Sequence, residues 1–311
     1  MKRIVFNMTF VVSFLLIFSI IVKVYYADFA EALSQEPHFY PRDKSLPLQS
    51  CQGWTDVVRD FQVDDGQGAD EVPVLMYHRV IDEEDLAENH FDEENRLHST
   101  ILLKESFNDQ MELLREHNFT TLTSKELKLF LKGELEVPKN SIVLTFDDGS
   151  KDNYVETYPI LKENGLTALN FIITGAITSK DSKYEANAYQ YLSESEIINS
   201  CDVFEFQSHT YNYHKRTFNY VPYLIAKSKE DIKYDLEASI VNLDQRNRAF
   251  AYPYGGYNEE TIDVLKELEF EMAYTVVPEI ARPGIHLYEI PRIEIFPEDS
   301  LEDFKRKIRL N

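Results

Sequence analysis

Two aspartates, Asp147 and Asp148, directly follow the apolar run "SIVLTF" at residues 141–146, where a buried strand is expected to end. A second such run, "FEFQSH", ends at His209, and His214 follows five residues later. Two imidazoles and one carboxylate are a ligand set that catalytic zinc sites use, because it leaves a position open for water. The other aspartate is then free to act as a base. This pattern therefore indicates metal-assisted hydrolysis.

Each motif also has a purely structural explanation. Asp-Gly is among the commonest turn dipeptides, and aspartate caps helices well. Histidines five residues apart are separated by about 140° on an α-helix, so they can share a metal only where a strand end runs into a tight loop. A structural His209 and a surface His214 are the ordinary outcome for an isolated pair. The presence of the two aspartates at another strand end favours a site.

The elements that must position these residues are strands and helices in alternation. From Glu71 onward, amphipathic segments separate seven strand-like runs: 72–78, 141–146, 168–174, 204–209, 248–254, 272–277 and 290–296. This alternation is typical of βα units and a mainly parallel sheet. Seven strands over about 240 residues predict a closed or nearly closed (β/α) barrel, with an open doubly wound sheet as the alternative. In both, sites lie at the carboxyl ends of the strands.

The N-terminus predicts a membrane anchor. Lys2 and Arg3 precede an apolar run from Ile4 to about Tyr26, which is long enough to cross a bilayer. A cleaved signal peptide is the alternative, but its apolar region is usually about 7–15 residues long. We therefore expect an anchor at 1–26, an extracytoplasmic stem at 27–70 and a catalytic domain at 71–311, attached to the outer side of the cell membrane.

Composition limits the partners. The 311 residues carry a formal net charge of −22, which argues against nucleic acid or an anionic membrane surface as the main partner. The content of 43% hydrophobic residues suits a packed core. Two cysteines, Cys51 and Cys201, are too few for a disulfide framework, and the sequence assigns them no role. We expect a monomer.

The motifs "TFDDG", "SHTYNYH" and "AYPYGGYN", in this order, resemble the successive motifs of the polysaccharide deacetylase (NodB-homology) family of carbohydrate esterases. More narrowly, "PVLMYHRV", "FIITG" and "IPRI" are similar to its bacterial poly-β-1,6-N-acetylglucosamine deacetylase branch. The resemblance covers residues 72–296. It implies a distorted (β/α) barrel and metal-dependent removal of acetate from N-acetylglucosamine units of a cell-wall or surface polysaccharide.

The resemblance also implies roles for individual residues. Asp148, His209 and His214 are the implied ligands of one divalent metal, zinc foremost, with cobalt and nickel as alternatives. Asp147 is the implied general base, and the backbone N–H of Tyr254 the implied donor to the oxyanion.

Two family features are missing from this sequence. Many members carry an arginine that orients the base where this chain has Ala251, and Arg292 or Arg79 is the candidate replacement. The late histidine that protonates the leaving amine has no clear counterpart. We prefer His78, because it ends the first strand and the related branch carries the same "YHR" there. His286 is the alternative.

The expected function is therefore N-deacetylation of a glycan that contains N-acetylglucosamine. A catalytically inactive glycan-binding module on the same fold is the alternative, although such a module has no need for a second carboxylate beside three ligands. Another metal hydrolase, such as a phosphodiesterase, is a third interpretation. Such sites commonly hold two metals and need more Asp and His ligands than this sequence offers.

Overall fold

The runs of β-branched and aromatic residues that predict strands form strands in the computed structural model, which describes Phe10, Phe14, Leu15, Phe18 and residues 39–64, 66–246 and 248–310. In chain order the strands are β1 (Val74–Tyr77), β2 (Arg79–Ile81), β3 (Ile101–Leu103), β4 (Thr120–Thr121), β5 (Ser141–Phe146), β6 (Ala168–Ile172), β7 (Phe204–Ser208), β8 (Ala249–Ala251), β9 (Met272–Tyr274) and β10 (Ile293–Glu294). All seven predicted strands are confirmed.

Helices connect the strands and cover the sheet. They are α1 (Lys104–Glu116), α2 (Ser124–Leu131), α3 (Tyr158–Glu163), α4 (Glu194–Ser200), α5 (Tyr223–Ala226), α6 (Lys229–Asn242), α7 (Glu259–Glu267) and α8 (Leu301–Lys307). Several begin at caps that the sequence supplies. Thr123 and Glu126 form a capping box at the start of α2, and Ser193 and Glu196 form another at the start of α4.

The main sheet is parallel and runs in the order β10-β1-β5-β6-β7-β8-β9, with β4 paired to β5. From β1 to β9 the order rises along the sheet without a reversal, whereas a doubly wound sheet reverses direction at a switch point. The segment that contains β10 contacts both ends of this sheet, because Ile290 pairs with Tyr274 while Ile293 pairs with Leu75. The prediction of a barrel-like parallel α/β fold with about seven strands is confirmed.

The central strands are buried on both faces. All six residues of β5 and all five of β6 and of β7 are buried, because helices cover one side and the side chains of the opposite strands cover the other. Polar residues that directly follow the carboxyl ends of these strands are therefore held in place by the packed sheet.

Residues 40–61, which we call the N-terminal strap, differ from the predicted stem. They belong to the same compact unit as the strands, which extends from Tyr40 to Asn311. Tyr40, Leu46 and Leu48 are buried in the core. The side chain of Gln52 accepts from the Phe206 N–H at 2.9 Å and donates to the Phe206 carbonyl at 3.3 Å, so it pairs with β7 as a strand residue would.

A disulfide between Cys51 and Cys201 joins the strap to the turn before β7. The indole N–H of Trp54 donates to the Cys201 carbonyl at 2.7 Å beside it. The two cysteines to which the sequence assigned no role therefore fasten the strap to the barrel.

The predicted anchor at 1–26 lies outside the described residues, apart from Phe10, Phe14, Leu15 and Phe18. Among the helices that the structure describes, none has both the length and the apolar character needed to cross a bilayer.

Candidate active site

Side chains from three strand ends converge at the carboxyl edge of the sheet. Asp147 and Asp148 follow β5, His209 follows β7, and His78 follows β1. The Asp147 N–H donates to the Tyr77 carbonyl at 3.0 Å. The predicted site residues therefore lie at one edge of the sheet, as parallel pairing requires.

Asp148, His209 and His214 form a candidate metal centre. Each offers one ligand atom, and these atoms lie within 4.8 Å of one another. Oδ1 of Asp148 is 3.1 Å from Nε2 of His214 and 3.5 Å from Nε2 of His209. The same Oδ1 is buried and has no hydrogen-bond partner among the described residues. A buried carboxylate oxygen that faces two imidazole nitrogens fits a divalent cation, which would satisfy all three atoms.

The ring of His209 is held in the tautomer that a metal ligand needs. Nδ1 lies 2.8 Å from the Ala251 carbonyl, to which Nδ1–H donates, so that Nε2 keeps its lone pair toward Asp148. Burial lowers the pKa of His209 to about 4. The imidazole is therefore neutral at physiological pH.

The backbone around the ligands is strained. Asp148 and Thr210 have φ angles of 75° and 77°, a left-handed region that residues other than glycine rarely adopt. The next residue, Gly149, has a φ angle of 73°, and a Cβ there would lie 2.8 Å from Cγ2 of Ile172. Gly149 therefore allows the tight turn, while the strained backbone of Asp148 directs its carboxylate into the site.

Asp147 is held by a buried arginine. Arg292 donates from Nη1 to Oδ1 at 2.7 Å and from Nη2 to Oδ2 at 2.8 Å, and both side chains are buried. Burial alone would raise the pKa of Asp147, but the charge and hydrogen bonds of Arg292 outweigh it and hold that pKa well below its usual range.

This contact decides between the two arginines that the sequence left open. Arg292 takes the position beside Asp147. Arg79 instead donates from Nε to the buried carboxylate of Asp152 at 2.9 Å.

The two candidate proton donors lie in different surroundings. His78 lies near both aspartates and Glu294. His286 is half exposed and pairs with Glu289 at 3.1 Å. The structure therefore brings His78 close to the carboxylates and leaves His286 beside Glu289 at the surface.

Tyr254 lies directly beside the ligands. Its ring centroid is 4.5 Å from that of His214, and its hydroxyl is 3.2 Å from Nδ1 of the same histidine. The turn around it is held by the N–H groups of Gly255 and Gly256, and neither of those hydrogen bonds uses the Tyr254 N–H. With a φ angle of 57°, Tyr254 is also in the left-handed region.

Sequence reasoning missed one residue that contacts a ligand. The hydroxyl of Tyr189 donates to Oδ2 of Asp148 at 2.8 Å. The chain has 19 tyrosines, and no local pattern distinguishes this one from the others.

A family model described as polysaccharide deacetylase matches residues 134–273, which include both aspartates, both histidines and Tyr254. The chain is also 29% identical over 202 residues to the poly-β-1,6-N-acetyl-D-glucosamine N-deacetylase of Staphylococcus aureus, a match that covers 63% of this chain and 68% of that protein.

Solved structures agree with this similarity. The Streptococcus pyogenes deacetylase PplD in complex with acetate matches with a TM-score of 0.64 and 26% identity, over 76% of this chain and 98% of that one. IcaB from Ammonifex degensii has the same fold, with a TM-score of 0.62 and 22% identity over 78% of this chain and 97% of that one. Residues 134–273 therefore belong to a polysaccharide deacetylase domain, a carbohydrate esterase that acts on N-acetyl amide bonds.

Proposed function

We propose that this protein is an extracytoplasmic, divalent-metal-dependent N-deacetylase that removes acetate from N-acetylglucosamine units of a cell-wall or surface polysaccharide. The observation that supports this most directly is that two adjacent aspartates have different surroundings. One oxygen of Asp148 faces two imidazoles and has no hydrogen-bond partner among the described residues. Asp147 instead forms an ion pair with Arg292.

In this proposal Asp148, His209 and His214 hold the cation. Zinc, or cobalt or nickel in its place, supplies Lewis-acid polarisation of the acetamide carbonyl and a water of lowered pKa. Asp147 accepts the proton of the attacking water. The two hydrogen bonds from Arg292 keep the Asp147 carboxylate ionised and aim it, while each oxygen retains a lone pair for the proton.

Two further groups complete the reaction. The backbone N–H of Tyr254 donates to the oxygen that becomes negatively charged as water adds to the carbonyl. His78, which follows β1 at the same edge of the sheet as the two aspartates, donates a proton to the leaving amine.

The location is part of the proposal. The basic and apolar N-terminus supports membrane attachment with the catalytic domain outside. The Cys51–Cys201 disulfide supports the same location, because disulfides persist in oxidising compartments.

The substrate class follows from the similarity to the poly-β-1,6-N-acetyl-D-glucosamine N-deacetylase of Staphylococcus aureus. We propose a polymer of N-acetylglucosamine, with the β-1,6-linked polymer first among the candidates. Its deacetylated product is cationic, and a protein with a net charge of −22 does not repel it.

The test is acetate release by the purified full-length protein from β-1,6-linked N-acetylglucosamine oligomers and, separately, from peptidoglycan. We expect chelator to abolish release and added Zn²⁺ to restore it. Asp147→Asn should lower the rate at least 100-fold, as expected for loss of a general base. Asp263→Asn is the matched control, because the Asp263 carboxylate is largely exposed and Asp263 is distant in sequence from the three proposed metal ligands.

Absence of acetate from every glycan would contradict the proposed function. So would a rate that neither chelator nor Asp147→Asn changes. Release from peptidoglycan alone would keep the activity and replace the β-1,6-linked polymer as the substrate.

A further inference from the structure

The two oxygens of Asp148 have different neighbours. Oδ1 faces Nε2 of His209 and of His214, at 3.5 and 3.1 Å. Oδ2 accepts the hydroxyl hydrogen of Tyr189 at 2.8 Å. A carboxylate whose second oxygen already accepts a hydrogen bond from a fixed donor presents one oxygen, not two, to a cation.

The backbone places Tyr189 at this distance. The segment after Tyr189 lies antiparallel to the segment after Asp148. The N–H of Lys151 donates to the Gln190 carbonyl at 2.8 Å, and that of Leu192 donates to the Gly149 carbonyl at 3.0 Å. Tyr189 and Asp148 therefore belong to one hydrogen-bonded unit, and the contact between their side chains continues that pairing.

A buried ion pair supports the ring of Tyr189. The guanidinium carbon of Arg79 lies 5.1 Å from the ring centroid, in cation–π geometry. Arg79 is itself fixed, since Nε donates to Asp152 at 2.9 Å and Nη2 donates to the Ala186 carbonyl at 3.0 Å. The Ala186 carbonyl also contacts Nε2 of buried His90 at 2.9 Å. Fixed neighbours therefore hold the ring and its hydroxyl in place, although about half of Tyr189 is exposed.

We propose that Tyr189 is a positioning residue that holds Asp148 as a one-oxygen ligand. The inference rests on the metal site of the proposed function. Three single-atom ligands leave coordination positions for both water and the carbonyl oxygen of the acetamide. Without the Tyr189 hydroxyl, Oδ2 is free to turn toward the cation and take one of those positions.

The test compares the full-length wild type with Tyr189→Phe, which keeps the ring on Arg79 and removes only the hydroxyl. Tyr191→Phe is the matched control, because its ring packs 5.2 Å from that of Tyr189. Each protein is freed of metal, checked by its melting temperature, and titrated with Zn²⁺ against a chromophoric chelator. We expect the Zn²⁺ affinity of Tyr189→Phe to fall about 10- to 100-fold and that of Tyr191→Phe to stay within about twofold of wild type.

Two further measurements separate positioning from a contact with sugar. The visible absorption spectrum of the Co²⁺-loaded protein should change in Tyr189→Phe, because an added carboxylate oxygen changes the coordination geometry. Acetate release by Tyr189→Phe should stay low in kcat even with excess Zn²⁺, because Oδ2 occupies a position that water or the carbonyl oxygen needs, and KM should not rise.

Equal Zn²⁺ affinities of wild type and Tyr189→Phe would overturn the inference and leave the proposed function intact. Equal losses in both tyrosine variants would overturn it too, because they would indicate general loosening of the loop. A raised KM that excess Zn²⁺ does not correct would replace it with a sugar contact. Failure of the wild type to bind Zn²⁺ or Co²⁺ would overturn both proposals.

Discussion

Removing the charge of Arg292 tests the electrostatic reasoning about Asp147, the proposed base. Arg292→Met keeps most of the side-chain volume but leaves the buried carboxylate of Asp147 without the two donors at 2.7 and 2.8 Å. Breaking a buried ion pair from one side costs about 3–5 kcal/mol of unfolding free energy, because an uncompensated charge stays inside. We expect a loss of this size in urea denaturation of the metal-free protein, together with a large loss of deacetylase activity.

A double-mutant cycle with Asp147→Asn gives the sharper measurement. Because the Asn variant carries no charge for Arg292 to neutralise, the two substitutions should couple by about 2 kcal/mol or more. Arg282→Met is the control, since Arg282 forms an exposed pair with Glu71, and it should cost less than about 1 kcal/mol. A coupling below about 0.5 kcal/mol would refute the reasoning.

The dependence of this loss on pH has a defined sign. Although burial opposes it, Arg292 keeps the folded-state pKa of Asp147 below its ordinary value. The stabilisation is therefore complete above the unfolded-state pKa of about 4 and disappears as the pH falls through the folded-state pKa. In Arg292→Met burial instead raises the pKa of Asp147, so the difference in stability between wild type and this variant should shrink as the pH falls, beginning above about pH 4. A difference that is constant with pH would contradict this explanation.

Two other substitutions have defined outcomes. Replacing Cys51 and Cys201 by serine removes a disulfide that joins positions 150 residues apart. On the chain-entropy model this should lower the unfolding free energy by up to about 5 kcal/mol. Denaturation with and without reductant would measure the loss, and an unchanged midpoint would contradict the expectation. Because His78 is the proposed proton donor, His78→Asn should lower kcat about 100- to 10,000-fold, while His286→Asn should have little effect. Equal losses of kcat in the two variants would reject the assignment.

Much of the fold could be predicted because its signals are local. Each main strand is a short run of apolar and β-branched residues, and the sites of a parallel sheet lie where such runs end. Asp147 and Asp148 adjoin one run and His209 ends another, so their convergence required only the rule that parallel strands share a carboxyl edge.

The residues that the sequence did not identify act over long distances. Arg292 is 145 positions from Asp147, and only the register of β10 on β1 selects it over Arg79. Tyr189 reaches Asp148 across 41 positions through a loop without periodicity.

The N-terminal strap escaped prediction for a different reason. It has few apolar residues, and it packs through single side chains such as that of Tyr40 and through the hydrogen bonds of Gln52 with β7. Such contacts leave no pattern of period 2 or 3.6 in the sequence.

The segment at 290–294 links closure of the sheet to the charge of Asp147. It joins β9 to β1 through Ile290 and Ile293, and it carries Arg292 between those two contacts. Until this segment docks, Asp147 has no counter-ion, so a barrel that is otherwise assembled contains an unpaired acid at its centre. Docking then completes the sheet and neutralises that acid in one step. A chain in which this segment is undocked therefore lacks both the contacts that join β9 to β1 and the counter-ion that the proposed base needs.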